Sequence, residues 1–174
     1  MIIAQKKKKE NIIEYILYIW QLEDIIRGFH FDINQIEKNI ISKFKVDEDT
    51  HQEIKDWYAD LIEQMIAERI IKQGHLSFTI EIVEELNQYH KTLLKSKKSL
   101  EYEMIYNNQK ESINEYRVKS NAPDTSDIEI CFNALYAMLL LRLQKKEVFQ
   151  NTLQAIIGFR GILIFLAKSL EKNK

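Results

Sequence analysis

The chain has 174 residues, of which 45% are hydrophobic and 29% are charged, and its formal net charge is −1. This length suits one domain with a substantial core, and the composition is typical of a soluble globular protein and argues against disorder. A nearly neutral chain lacks the positive field that phosphate-driven binding requires, so we expect no nucleic-acid partner.

Helical periodicity begins near the amino terminus, and the four glycines and one proline fall between the patterns, which indicates an all-α protein. The first predicted helix covers residues 7–27, and Gly28 is placed to end it. Asp32 is placed to cap a second helix, in which apolar residues form one stripe through residues 33–44.

Three further helical patterns precede the clearest interruption in the chain. The acidic residues 47–49 suit the positive end of a third helix, which Gly74 ends. Ser77 or Thr79 is placed to cap a fourth helix. A tyrosine-rich pattern through residues 102–116 predicts a more polar fifth helix.

The last two helices have the most apolar patterns. After a proline-containing loop, Ser126 or Asp127 starts a helix whose apolar residues point in nearly every direction, which predicts burial on all sides. The final helix, residues 152–170, contains Gly158 and Gly161, which would let another backbone approach closely. Together the patterns predict an all-α, single-domain bundle of six or seven helices.

Cysteine usage and the amino terminus bear on location. Cys131 is the only cysteine, which excludes an intrachain disulfide and fits a reducing compartment. The start MIIAQKKKKE lacks the apolar core of a secretory signal. The longest apolar runs, residues 134–141 and 161–167, fall short of the ~20 residues of a membrane helix. We therefore predict a cytoplasmic protein with no membrane partner.

The first helix carries an acid where an apolar residue is expected. Glu23 shares a face with Ile19, Trp20 and Ile26, and Arg27 follows one turn later at the spacing of an ion pair. A buried ion pair that fixes helix packing is the simpler interpretation. The functional interpretation is a pocket acid, or an arginine that binds an anionic ligand.

Two further residues can join this pair in a polar cavity. Arg142 lies on the apolar side of its helix, although its position near the helix end also lets its head reach water. His90 lies on the apolar face of the fourth helix, where a histidine is usually a satisfied core or rim residue. Glu23, Arg27, His90 and Arg142 are thus the candidate buried polar cluster, and we predict no metal site and no cofactor.

The known catalytic motifs are absent or incomplete. A di-iron bundle needs two copies of Glu-x-x-His, and the chain has one, Glu48-x-x-His51. The acidic pairs of all-α nucleotide pyrophosphohydrolases occur in the wrong order, with Glu53-x-x-Asp56 before Glu81-x-x-Glu84. The sequence has no phosphate-binding loop, dinucleotide fingerprint, nucleophile elbow or cysteine-based zinc spacing.

Two surfaces are candidates for contacts with other molecules. The lysines at positions 6–9 can touch phosphates or a membrane surface, although a solvated turn is the simpler interpretation. The tyrosine-rich segment, residues 102–116, and the apolar helix, residues 128–143, suit a protein interface. A homodimer is therefore left open, beside the alternative that the last helix simply covers the apolar one.

A family resemblance is carried by three segments, NIIEYILYIWQLEDIIR, IIKQGHL and EICFNALYAMLLLRLQKKE. Together they resemble an uncharacterised all-helical family of Bacteroidetes, the domain of unknown function 4924. The resemblance extends from MIIAQKKKKENI to the helix after LRLQKKE, almost the whole chain. It implies an all-helical single domain and a bacterial source, but no reaction, ligand or catalytic residue.

Elimination leaves binding or assembly as the expected function. We predict a non-catalytic cytoplasmic protein, one helical domain over residues 1–174, that acts through helical surfaces. The alternative is a small-ligand-binding protein or an enzyme with a polar cavity around the four-residue cluster. A ligand site needs a concavity with convergent polar groups, whereas an interaction protein needs an exposed apolar patch.

Overall fold

A computed structural model describes residues 4, 7–8, 10–96 and 99–172, and no strand occurs among them. From Asn11 onward these residues form eight α-helices and one short 3-10 turn, Ile41–Lys43. The prediction of an all-α protein is confirmed. The helices are α1 (Ile12–Gly28), α2 (Ile33–Asn39), α3 (Glu48–Ala67), α4 (Ser77–Ser96), α5 (Leu100–Asn107), α6 (Lys110–Lys119), α7 (Asp127–Leu143) and α8 (Gln150–Lys172).

The tyrosine-rich segment forms two helices where the sequence predicted one, so the helices outnumber the expected six or seven. Helix α5 ends at Asn107, and α6 begins at Lys110. The run NNQK between their cores contains no apolar side chain, so core packing does not hold the chain in one continuous helix there.

Helix α1 has different ends from those predicted. Residues 7, 8 and 10 are helical, as predicted, but Asn11 separates them from α1, because its side chain accepts hydrogen bonds from the backbone amides of Ile13 and Glu14 and caps that helix. Gly28 is part of the helix and does not end it. The left-handed residues that turn the chain are His30 and Phe31, with φ of 53° and 63°.

Helix α3 also ends before its predicted stop. Its last residue is Ala67, and Arg69 takes the left-handed conformation with φ of 60°. Gly74 lies farther along, in the loop between α3 and α4, where its φ of 96° favours glycine. The predicted cap of α2 is confirmed, since the Asp32 side chain accepts hydrogen bonds from its first turn, and of the two residues predicted to start α7 it is Ser126 that caps it. Asp47, predicted only as one of the acids at the amino end of α3, caps that helix.

The chain divides into two compact units, Met1–Ile80 and Glu81–Lys174, with the boundary inside α4. The predicted single domain over residues 1–174 therefore stays a prediction. In the first unit, α3 packs against α1, α2 and the 3-10 turn. Its fully buried large side chains are Ile16, Ile19, Trp20, Ile26, Ile36, Ile41, Tyr58, Met65 and Leu76.

In the second unit, α7 packs against α6 and α8, and α5 also packs against α8. The first two-thirds of α7 are largely buried, as the sequence predicted, but residues 139–141 are half-buried and Leu143 is exposed. The predicted burial of α7 on all sides is thus wrong at its carboxyl end, because α8 covers only part of it.

The two glycines of α8 do not bring another backbone close. A Cβ on Gly158 would meet the side-chain amide of Gln109, and a Cβ on Gly161 would have nothing within 4 Å. The expected close backbone approach is therefore wrong at both positions among the described contacts.

Helix α8 is long and apolar enough, by length and composition, to cross a membrane. Core helices of soluble proteins meet the same criterion, and α8 does supply buried side chains to its unit, namely Phe159, Ile162, Leu163 and Leu166. Only 22% of its apolar 18-residue window is buried, however. Of its other large apolar side chains, Ile157 is exposed and the rest are half-buried.

Candidate functional site

Glu23 is the most deeply buried charged residue of the first unit, with 0% exposure. Its Oε1 atom accepts a 2.9 Å hydrogen bond from the backbone amide of Leu76. Its Oε2 atom lies 2.6 Å from Nδ1 of His75. A buried carboxylate needs hydrogen-bond partners to replace water. The loop between α3 and α4 provides one for each oxygen of Glu23.

The His75 imidazole is held in place by more than Glu23. It stacks on the Trp20 indole, with ring centroids 3.8 Å apart and 12° between the planes. The indole Nε1 donates a 3.1 Å hydrogen bond to Oγ1 of buried Thr79, and that hydroxyl donates to the Leu76 carbonyl at 2.8 Å. The start of α4 is thereby tied to the middle of α1.

Arg27 does not pair with Glu23 as the sequence predicted. Its guanidinium donates to the Ile70 carbonyl at 3.2 Å and to the Gly74 carbonyl, and it forms a 3.0 Å ion pair with Asp24. The backbone of the α3–α4 loop takes up the hydrogen-bonding capacity of the guanidinium. Glu23 and Arg27 thus bind the same loop through separate contacts.

The Glu23–His75 pair is the arrangement in this unit that most resembles the carboxylate–histidine pair of a catalytic site. A carboxylate at Nδ1 favours the tautomer with hydrogen on that nitrogen, which makes Nε2 the basic atom. The His75 side chain is 23% exposed, so it reaches the surface while Glu23 does not. Among the described residues, no group of three or more His, Cys, Asp or Glu side chains could hold a metal ion.

A second polar cluster lies in the other unit and centres on Asp127, in the first turn of α7. Its Oδ2 atom accepts a 2.6 Å hydrogen bond from the Tyr106 hydroxyl. Its Oδ1 atom is paired with the Arg117 guanidinium, which also donates to the Thr125 carbonyl at 3.2 Å. The carboxylate thus joins α5, α6 and α7.

His90 is buried beside this cluster. Its Nδ1 atom is 2.5 Å from the Tyr102 hydroxyl, and its Nε2 atom is 3.9 Å from Oδ2 of Asp127. Burial lowers the pKa of His90 below its ordinary value, and the nearby Asp127 charge opposes that shift. Burial also raises the pKa values of Tyr102 and Tyr106, so both phenols stay protonated.

The lowered pKa of His90 predicts a loss of stability in mild acid. The unfolded chain binds a proton near pH 6.5, whereas the folded chain binds it only at lower pH, so stability falls as the pH drops below about 6.5. We expect His90→Gln to remove this contribution, which is at most about 1.4 kcal/mol per pH unit. Urea unfolding at pH 7 and pH 5.5 measures it.

The control for this experiment is the exposed His30, whose left-handed backbone asparagine also adopts. His30→Asn should keep the wild-type difference between the two pH values. An equally steep decline for His90→Gln and the wild type would contradict the assignment to His90.

The four residues of the predicted cluster are shared between the two units. Glu23 and Arg27 belong to the first unit, and His90 and Arg142 belong to the second. Arg142 is exposed in the last turn of α7, the solvent-facing position that a helix end allows. The predicted burial of Arg142 is therefore wrong. Convergence of the four side chains stays a prediction.

Sequence reasoning missed the closest partners in both clusters. His75 lies in IIKQGHL, one of the segments that carry the family resemblance, but its place beside a turn gave no sign that it contacts α1. Asp127 was considered only as a helix start. Its partners Tyr106 and Arg117 lie 21 and 10 residues earlier in the chain, and no local sequence spacing indicates these contacts.

A surface groove of about 640 Å³ runs along α6, lined by residues of that helix and Asn107. Its charged side chains, Lys110, Glu111, Glu115 and Lys119, are of both signs and exposed. Asn114, which also lines the groove, accepts a hydrogen bond from the Arg117 guanidinium of the Asp127 cluster.

The fold and the two clusters define an all-helical protein in which buried polar groups bind one another. The chain belongs to the family described as Domain of unknown function (DUF4924), whose sequence model matches residues 1–174, the whole chain. The resemblance carried by the three quoted segments is thereby confirmed, while the attribution to Bacteroidetes stays a prediction. No curated protein and no solved structure matches the chain.

Proposed function

We propose that this protein is a non-catalytic binding or assembly protein of the bacterial cytoplasm and that it acts through helical surfaces. The observation that carries the proposal is the exposed apolar surface at the carboxyl end of α7 and along α8. Leu143 is 58% exposed, Phe149 is 86% exposed and Ile157 is 65% exposed. We infer that these exposed large apolar side chains form a surface that another molecule covers.

The polar clusters support binding at a surface over chemistry in a cavity. Every buried side-chain nitrogen and oxygen among the described residues has a hydrogen-bond partner. The carboxylates of Glu23 and Asp127 are each engaged by protein groups, and such saturated groups stabilise a fold without presenting free donors or acceptors to a ligand.

The proposal predicts that position 157 is covered when the protein is in the cell. Cys131 is buried, so a thiol introduced by Ile157→Cys would be the only accessible one among the described residues. We expect a cell-permeant maleimide to label this thiol about fivefold or more slowly in cells than in the purified protein, since only uncovered molecules react. Mass spectrometry of the chain measures both rates.

The matched control is Val118→Cys on α6, at a position that is apolar and 79% exposed. The thiol at that position should react at similar rates in cells and in the purified protein. Similar rates at both positions would show that α8 is uncovered in the cell, and the proposed function would then be abandoned.

A second candidate function is supported by the partly exposed His75. An imidazole fixed by a buried carboxylate and stacked on an indole is suited to bind or deprotonate a small ligand. The alternative function, a ligand-binding protein or an enzyme, thus has its candidate site at His75 on the surface of the first unit and not at the four predicted residues. It requires a nucleotide, metal ion or metabolite that raises the melting temperature of the wild type but not of His75→Gln.

A further inference from the structure

One side of α8 carries the exposed Ile157 together with the half-buried Leu153 and Ile164. Leu153, Ile157 and Ile164 are separated by four and seven residues, so they share a face about 16 Å long. The buried residues of α8 lie on the opposite side of the same helix. Helix α8 therefore has a second side, with these three apolar residues around the exposed Arg160, which its own unit covers only in part.

Two further exposed apolar residues, Phe149 and Leu143, precede α8 along the chain. Leu143 is the last residue of α7, and Phe149 immediately precedes the first residue of α8. We refer to Leu143, Phe149, Leu153, Ile157 and Ile164 as the α8 surface. Its largest member, Phe149, is the most exposed of the large apolar side chains in the part of the chain that the structure describes.

Basic side chains border the α8 surface. Arg142, Lys145 and Lys146 lie in the loop and helix end beside Phe149, together with one acid, Glu147. Lys168 lies near the carboxyl end of α8, four residues after Ile164 and therefore on the same side of the helix. These four basic residues are exposed, and none of them forms an ion pair among the described residues.

The charge of this part of the chain is opposite to that of the rest. Residues 142–174 contain seven lysines and arginines against two acids, whereas the remaining residues contain 18 against 24. A surface that combines apolar side chains with a positive border complements a partner that is apolar inside and negative at its face. An anionic lipid bilayer has that chemistry.

Two other occupants fit less well. A second copy of the chain would bring two positive borders together, and like charges at an interface oppose association. A nucleic acid would neutralise the lysines but would leave the isoleucines of α8 exposed, since phosphates and sugars offer them no apolar partner.

We propose that the α8 surface docks on an anionic lipid bilayer, with α8 lying in the plane of the interface. Phe149 and Ile157 enter the boundary between headgroups and acyl chains, and Lys145, Lys146 and Lys168 contact lipid phosphates. This inference rests on the proposed function and names its partner. It differs from the prediction of no membrane partner, which rested on the shortness of the apolar runs.

The test is sedimentation of the purified full-length chain with vesicles of phosphatidylcholine, with and without phosphatidylglycerol. We expect binding to the anionic vesicles at low salt, loss of binding at high salt, and no binding to phosphatidylcholine alone. The double substitution Lys145→Gln and Lys146→Gln should weaken binding on the order of tenfold. Phe149→Ser with Ile157→Ser should weaken it by at least about tenfold.

Matched controls come from α6, where residues of the same types are exposed. Lys110→Gln with Lys119→Gln, and separately Val118→Ser, should leave vesicle binding unchanged. Circular dichroism confirms that each variant keeps its helices. The variants change exposed positions, so folding and binding are separable.

Three outcomes would overturn the inference. The wild type could fail to bind anionic vesicles at low salt, or the α8 variants could bind as well as the wild type. Light scattering could also show a dimer that Phe149→Ser with Ile157→Ser converts to a monomer, which would make a second copy the occupant. Slow labelling at position 157 in cells without vesicle binding would refute only the bilayer and would leave the proposed function standing.

Discussion

Glu23→Ala is expected to lower the free energy of unfolding by about 3–5 kcal/mol. The substitution removes the acceptor of the buried Leu76 amide and the partner of His75, and it leaves space in a fully buried position. Urea unfolding followed by circular dichroism measures the loss. It should be among the largest for any single charged residue of the first unit.

Two substitutions show whether the contacts of Glu23 are the cause. Glu23→Gln keeps an acceptor for Leu76 and should cost only about 1–2 kcal/mol. Glu63→Ala, at an exposed position on α3, should stay within about 0.5 kcal/mol of the wild type. A loss for Glu23→Ala as small as that for Glu63→Ala would contradict the account of the first unit.

Asp127→Ala is expected to lower the free energy of unfolding by about 2–4 kcal/mol. Without this carboxylate, the Arg117 guanidinium and the Tyr106 hydroxyl lose their shared acceptor in a part-buried position. The first turn of α7 also loses a negative charge that interacts favourably with the helix dipole. The same urea experiment measures the effect.

Asp124→Ala provides the comparison, because Asp124 is exposed in the loop that precedes α7. It should change stability by no more than about 0.5 kcal/mol. Asp127→Asn should fall between the two, since an amide oxygen still accepts from Tyr106 but no longer carries the charge that Arg117 pairs with. Equal stability of Asp127→Ala and Asp124→Ala would show that the cluster contributes nothing.

Local features of the fold were predictable from the sequence because their causes are local. The Asp32 and Ser126 caps follow from residue type and position, since each side chain needs only the next turn of its own helix. The break between α5 and α6 was missed because a helical pattern continues across it. Whether the run NNQK is helical depends on its packing against other helices, and the periodicity of apolar residues does not predict that packing.

The partner of Glu23 was beyond sequence reasoning for a similar reason. The i, i+4 spacing offers only Arg27, whereas the partner in the structure, His75, lies 52 residues away along the chain. Burial of Glu23 was correctly anticipated, because its helix face is otherwise apolar. The contact that satisfies it depends on where the α3–α4 loop returns.

Sequence periodicity also could not predict which side of α8 is exposed. Apolar residues at Leu163 and Ile164 are adjacent in the sequence, and periodicity alone places apolar groups on both sides of the helix. The structure buries Leu163 fully and leaves Ile164 half-buried. Only the packing of α8 against α5 and α7 decides which side is covered.

The central claim is that the α8 surface is covered by another molecule in the cell, and labelling kinetics test it most directly. The measurement is the in-cell labelling rate divided by the rate in the purified protein, for the thiols introduced by Ile157→Cys and by Val118→Cys. We predict a ratio at position 157 about fivefold or more below the ratio at position 118. Equal ratios would contradict the claim.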